Sequence, residues 1–111
     1  MIIKKSVNDL SPEIVKEAKN TKIRWMLGPK DNVPNFYLRV FDLEKGGESP
    51  YHNHPWEHEV FILEGKGYLR TEEKNYDFKP YDVLYVPPGT QHQFVNKGDG
   101  LLRFICIIPK Q

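Results

Sequence analysis

With 111 residues the chain has the length of one ordinary domain, enough to bury a core, and its single cysteine excludes an intrachain disulfide framework. Sixteen basic residues against 15 acidic ones leave a net charge of +1, and the basic side chains are scattered apart from pairs such as Lys4-Lys5, which excludes a nucleic-acid-binding stripe. Hydrophobic residues at 39% and aromatic residues at 13% are too many for a disordered chain, while no apolar run is long enough to span a bilayer. Met1-Ile2-Ile3-Lys4-Lys5 lacks the apolar stretch of a secretion signal, so the expected compartment is cytoplasmic, without membrane or nucleic-acid partners.

In chain order, Ile2 and Ile3 suggest a short strand. Ser11-Pro12-Glu13 offers an N-cap and a first-turn proline, which predicts a helical turn or two running through Ile14, Val15 and Ala18. Asn20 and Thr21 break that pattern, and Ile23 to Leu27 reads as a strand ended by Gly28-Pro29. From Phe36 onward, short runs rich in β-branched and aromatic residues recur between turn signals. They are Phe36 to Leu43, Glu59 to Leu63, Tyr68 to Thr71, Tyr76 to Phe78, Val83 to Val86, Gln91 to Val95 and Leu101 to Ile108. Evenly spaced short strands without helical patterns between them predict an all-β antiparallel sandwich or barrel.

Three of the four histidines lie in His52-Asn53-His54-Pro55-Trp56-Glu57-His58, and the fourth is His92. Imidazole is the commonest protein ligand for divalent transition metals, so the cluster points to a metal site, although any one of these histidines alone reads as an exposed loop residue. In an extended chain His52, His54 and His58 share a side and Glu59 faces away, provided Pro55 introduces no bulge that shifts the count. Phe94 shares parity with His92. Phe104, Cys106 and Ile108 share one face of the last strand, so Phe94, Phe104 and Cys106 are candidate cavity residues as well as ordinary core. Arg39, a charge inside an apolar strand, is a candidate contact for an anionic substrate, or else a solvent-facing or carboxylate-paired arginine. Trp56 reads as a shield for the loop or for an interface.

Gly46, His52, His54, His58 and Gly65, then Pro87, Gly89, His92 and Asn96, resemble the two motifs of the cupin superfamily. The first motif has glycine, His-X-His, glutamate and glycine; the second has glycine, Pro-X-Gly, histidine and asparagine. Counting back from Gly65 places His58 where the family has glutamate, and Tyr81 stands where the second motif begins with glycine. A longer spacer would place Glu59 in the glutamate position but would put Lys66 at the glycine. The chain further resembles a small single-domain cupin subgroup with a His-Pro-Trp-Glu-His-Glu segment and an Ile-Pro-Lys-like tail.

That resemblance implies a single-domain jelly-roll β-barrel, or double-stranded β-helix, over residues 1–111 with its core at about 36–108. The segment 1–35 is then expected to pack on the barrel or to exchange with the partner in a homodimer. It implies His52, His54, His58 and His92 as ligands of one divalent metal, manganese first, with iron, zinc, nickel, cobalt or copper as the other choices. Four neutral ligands leave the ion its full charge, and an octahedral ion would keep two open positions, whereas a closed tetrahedral zinc would be structural. We expect a small-molecule substrate and dioxygenase-like oxidoreductase chemistry. Non-catalytic binding or sensing is the alternative, as is isomerase or lyase chemistry on a sugar or keto acid, for which the sequence offers no spare histidine as acid or base. Imidazole ligands predict release of the metal as pH falls through roughly 6.5.

Overall fold

The structure is a computed structural model describing residues 1–111. It is all-β: nine strands and two short 3₁₀ turns, at Val7–Asp9 and Pro29–Asp31, with no α-helix. The strands are β1 (Glu13–Ile14), β2 (Lys19–Leu27), β3 (Phe36–Glu48), β4 (His58–Glu64), β5 (Gly67–Thr71), β6 (Asn75–Phe78), β7 (Val83–Val86), β8 (His92–Asn96) and β9 (Leu102–Pro109). They form one curled antiparallel sheet in the order β6-β5-β8-β3-β9-β4-β7, with the β1-β2 hairpin added on β3. This is the expected jelly-roll barrel, and every strand read from Phe36 onward is present to within a few residues at each end. No helix of the structure is long and apolar enough to cross a membrane.

Strand β3 is the hub because it is long enough to serve three neighbours. It pairs with β9 from Phe36 to Leu43, with β2 from Leu38 to Glu48, and with β8 through Glu48 opposite Val95. Lys45-Gly46-Gly47 therefore does not end the strand. Gly46, at φ +76°, takes the left-handed conformation inside it, and the register against β2 shifts where Asn20 is also left-handed at φ +48°. Such a local irregularity bends a sheet without ending it.

Alternation along the strands fills the interior. Leu43, Ile62, Leu102 and Phe104 are almost fully buried, with Val60, Val86, Leu69, Phe78 and Phe94 packed among them. The opposite face of β3 carries Asp42, which accepts hydrogen bonds from Arg103 Nε (2.6 Å) and Nη2 (2.9 Å) and from Arg24 Nη1 (2.9 Å). Burial alone would raise the Asp42 pKa, but the hydrogen bonds and charges of Arg103 and Arg24 outweigh it and hold the carboxyl below its ordinary value.

The N-terminal third departs from expectation except at Ile23 to Leu27, which forms the end of β2 as read. Ile2 and Ile3 form no strand, and Ile3, at 44% exposed, is partly covered, whereas Ile2 is open to solvent. The segment expected to be helical is a β-hairpin: Glu13 and Ile14 pair with Ile23 and Lys22, and Ala18 N–H donates to Val15 O (3.1 Å) across the turn. Only three apolar residues occur in that segment, too few for an amphipathic helix, and the edge of β2 offers backbone partners instead.

Two turns show how the backbone closes the sheet. Gly65 has φ +88°, and a Cβ there would collide with the Leu101 carbonyl and lie 2.8 Å from Leu102 Cα. Tyr81 holds the left-handed conformation (φ +74°) at the position where glycine was expected, and its N–H donates to Ile62 O (2.8 Å). Gly65→Ala is expected to destabilise the fold by about 3 kcal/mol through strain and overlap with backbone, and Tyr81→Gly to leave stability unchanged or raise it by up to about 1 kcal/mol. Urea denaturation of the two variants checks both, and a silent Gly65→Ala would show that this turn relaxes freely.

Candidate metal and substrate site

The two histidine-bearing segments are joined by a single antiparallel bridge. His52 N–H donates to His92 O (3.1 Å) and His92 N–H donates to His52 O (2.9 Å), which sets the two side chains next to each other. From the first turn of β4, His58 points to the same place, while Glu59 faces outward and is exposed. Ring centroids are 4.2 Å apart for His52 and His54, 4.9 Å for His58 and His92, 5.2 Å for His52 and His92, and 5.3 Å for His54 and His58. All four histidines singled out in the sequence therefore meet, Pro55 notwithstanding. Trp56 stacks flat on His54, with centroids 4.6 Å apart and planes within 5°, so the residue read as a shield backs a histidine directly.

Burial is the first cause of the electrostatics here. It lowers the His58 pKa to about 3, reinforced by the charges of His92, Arg39, His54 and His52. His52 is lowered to about 4 by burial, then by His54, His92 and Arg39, with Glu17 opposing. Burial also lowers His54 and His92, the latter against the opposing hydrogen bond to Thr90. The cluster is neutral throughout the physiological range, as ligation requires.

Hydrogen bonding then leaves ring nitrogens free. His92 Nδ1–H donates to Thr90 O (2.8 Å), so its Nε2 keeps a lone pair. His58 Nδ1 lies 3.4 Å from Cys106 Sγ, and its Nε2 is buried without any hydrogen-bond partner. In the tautomer that donates Nδ1–H to the sulfur, that orphaned Nε2 is a free ligand atom. As the side chains stand, the rings are stacked and tilted rather than drawn into a coordination sphere: no group of three or more His, Cys, Asp or Glu side chains is arranged to hold an ion. The donor set nevertheless fits a divalent transition metal in chemistry, being neutral, nitrogenous and incompletely hydrogen-bonded.

The cluster sits in the wall of a cavity of about 700 Å³. Arg39, Phe94, Phe104 and Cys106, the four candidates for substrate contact, all line it. Arg39 is turned inward and is only 9% exposed, neither on the solvent face nor paired with a carboxylate. Its Nη2 donates to Cys106 Sγ (3.0 Å), so Arg39, Cys106 and His58 form one chain of contacts. Burial raises the Cys106 pKa against the opposing influence of Arg39, which keeps the sulfur a thiol.

The cavity also includes residues that the sequence reading passed over: Trp25 from β2, Phe41 from β3, and Lys16 and Glu17 in the hairpin turn. Trp25 and Phe41 were legible in principle. Trp25 lies opposite Arg39 across the β2-β3 pair, and Phe41 has the same strand parity as Arg39. Lys16 and Glu17 carried no local signal, since their place depends on the hairpin.

A jelly-roll barrel with a histidine cluster inside an open cavity defines the class. The chain belongs to the cupin family, residues 39–108 matching the model of the Cupin domain. It is 34% identical over 71 residues to the 1-methylthio-D-xylulose 5-phosphate methylsulfurylase of Rhodospirillum rubrum, a match covering 64% of this chain and 46% of that protein. The chain thus spans less than half the length of that relative. An uncharacterized protein of Methanocaldococcus jannaschii is 30% identical over 112 residues, covering 95% of this chain and 84% of the relative. Among solved structures, the polyketide cyclase RemF from Streptomyces resistomycificus superposes with a TM-score of 0.93 at 30% identity, over 100% of this chain and 81% of that one.

The lowered histidine values fix a pH dependence for the metal-free protein. Below about pH 6.5 the unfolded chain takes up protons that folded His52 and His58 refuse until about 4 and about 3, so stability is lost as pH falls through that window and is insensitive to these groups above it. In chelator, the melting temperature is expected to fall steadily from pH 7 toward about 4, and His58→Gln to flatten the slope. An unchanged melting temperature across the window would mean that the cluster is more hydrated than its burial indicates.

Proposed function

We propose that the protein is a divalent-metal-dependent enzyme acting on a small, partly apolar organic substrate, with His52, His54, His58 and His92 holding the ion. The observation that carries this is the orphaned Nε2 of His58, buried among three further imidazoles that burial keeps neutral. A buried polar atom without a partner is costly, and ligation removes that cost. When bound, the ion supplies Lewis acidity and, if redox-active, electron transfer to dioxygen. The chain's own residues do the rest. The Thr90 carbonyl fixes the His92 tautomer, Cys106 orients His58, Trp56 holds the plane of His54, and the apolar walls exclude water around the substrate.

We favour dioxygenase-like oxidoreductase chemistry with manganese or iron. Apart from the imidazoles, the ionisable groups inside the cavity are the Arg39 guanidinium and Cys106, which stays a thiol, so the interior holds no general base. One observation favours a second reading. Glu17, in the turn at the rim, acts on His52 with its charge and supplies a carboxylate for moving protons. Together with the likeness to a polyketide cyclase, it supports metal-assisted cyclisation or isomerisation of an enolisable carbonyl compound.

Purified protein is expected to carry close to one divalent transition metal per chain, measured by mass spectrometry of the digested sample. His58→Ala should weaken binding by at least about tenfold while Glu59→Ala leaves it nearly unchanged, and the opposite ranking would restore the glutamate register. Because burial holds His52 near 4, the metal should stay bound below pH 6.5 and leave only as the pH approaches about 4, lower than free imidazoles suggest. Turnover of an enolisable substrate that consumes oxygen supports the oxidoreductase, and equal turnover under argon supports the second reading.

A further inference from the structure

The guanidinium of Arg39 is the one permanent charge deep in the cavity. Its neighbours are two aromatic rings, with Cζ 5.3 Å from the Trp25 centroid and 5.0 Å from that of Phe41, and the sulfur of Cys106. No carboxylate pairs with it, and its Nε is buried with no hydrogen-bond partner. Of the other three arginines on the same sheet, Arg24 and Arg103 share Asp42 on the outer face, and Arg70 donates to Gln93 Oε1 (3.3 Å) and lies over the Tyr51 ring. At the rim, Lys16 and Glu17 carry opposite charges, and the imidazoles are neutral, so one positive charge is left over inside.

A wall of aromatic rings stacked on one another leads away from it. Phe41 stacks on Phe104 at 5.3 Å and 20°, Phe104 stacks on Phe94 at 4.5 Å and 29°, and Phe94 meets His92 edge-on at 5.9 Å. The surface therefore runs from beside Arg39 to the histidine cluster. This apolar wall between the charge and the histidines suits an unsaturated body passing along the edges of the rings, with an anionic group at one end.

We propose that Arg39 is the anchor for a carboxylate, and that the cavity takes a planar, conjugated monocarboxylate whose acid group meets the Arg39 Nε edge and whose body lies along Phe41, Phe104 and Phe94 toward the histidines. A single guanidinium matches one negative charge and the planar fork of a carboxylate, whereas a phosphate dianion would lack further buried donors. The assignment names the substrate class of the metal-dependent site proposed above and rests on that proposal for what happens at the far end of the ligand. Binding at the near end needs no metal.

The test uses trans-cinnamate as the probe, with cinnamamide and cinnamyl alcohol as neutral matches and phenyl phosphate as the dianion. Calorimetric titration is carried out on the full chain in chelator and again after loading with one equivalent of zinc. Cinnamate is expected to bind at least about tenfold more tightly than cinnamamide in both states. Arg39→Met should remove that preference by bringing the affinity for cinnamate down to that for the amide, and Arg39→Lys should lose most of it because the fork is gone. In the wild type, the Arg39 Nε–H resonance should shift on saturation with cinnamate and not with the alcohol, which decides the matter even if a variant does not fold. Equal affinity for acid and amide, an unmoved Nε–H resonance, or tighter binding of phenyl phosphate would each overturn the assignment. Metal bound without acid selectivity would remove the anchor and leave the metal site. Acid selectivity without any metal binding would do the reverse.

Discussion

Four imidazoles can share this small a volume only while they are uncharged. Two protonated rings at the His52–His54 separation of 4.2 Å would repel by roughly 4 kcal/mol at the effective dielectric of a protein, before any cost of burial is counted. The structure enforces neutrality by position. The backbone bridge between His52 and His92 makes the separation of two rings a property of the main chain, and His58 enters from β4, whose neighbours β7 and β9 hold it on both sides. Arg39, fixed within reach, adds a further penalty to protonation of His52, His54 and His58. The cluster is thus kept uncharged by the same packing that closes the barrel.

Strand β3 links the stability of the sheet to the chemistry of the cavity. Asp42 on its outer face receives two arginines and becomes a satisfied ion cluster. Arg39, three residues earlier on the inner face, receives none. Replacing Arg39 with an apolar residue of similar length would suit the folding of an interior surrounded by Trp25, Phe41 and Phe104 better than a charge does. Aromatic faces and a thiol ease the cost of the cation without neutralising it, so it stays available to a ligand. Cys106 has a matching double position, touching the guanidinium on one side and His58 on the other, and a raised pKa suits it to orienting both rather than to reacting.

Much of this was legible from period and spacing alone. Strands from Phe36 onward announced themselves because a half-buried strand must alternate, and the same rule grouped His52 with His54, His58 with them if Pro55 caused no bulge, Phe94 with His92, and Phe104 with Cys106. Counting from Gly65 singled out His58, and the structure shows why that glycine is a reliable landmark: a side chain there would overlap backbone. Tyr81 illustrates the opposite case, a turn kept in the left-handed conformation without the residue that makes it cheap. What local pattern could not show was anything decided between distant strands. The β1-β2 hairpin depends on the free edge of β3, so β1 and the turn looked helical when taken alone, while Ile23 to Leu27 in β2 read as a strand. The direction of Arg39 depended on the pairing of β3 with β2 and β9, since a lone charge in an apolar run is compatible with either face.

The cavity is therefore encoded in two separate stretches with different kinds of signal. Its histidine end comes from motif residues whose spacing is constrained by turns, and the family match from residue 39 to 108 contains all of it. Its mouth comes from the hairpin that precedes the match: Ile14 and Val15 beside the opening, Lys16 and Glu17 at the turn, Ile23 and Trp25 on β2. Pairing with β3 sets the register of that hairpin, and the Arg24–Asp42 ion pair ties its outer face to the same strand, so exposed side chains at the mouth can change without disturbing the register. A histidine end fixed by main-chain geometry and a mouth built from exchangeable side chains give the cavity two parts that can vary independently. Arg39 and Trp25, opposite each other across the β3-β2 pair, stand where the two parts meet.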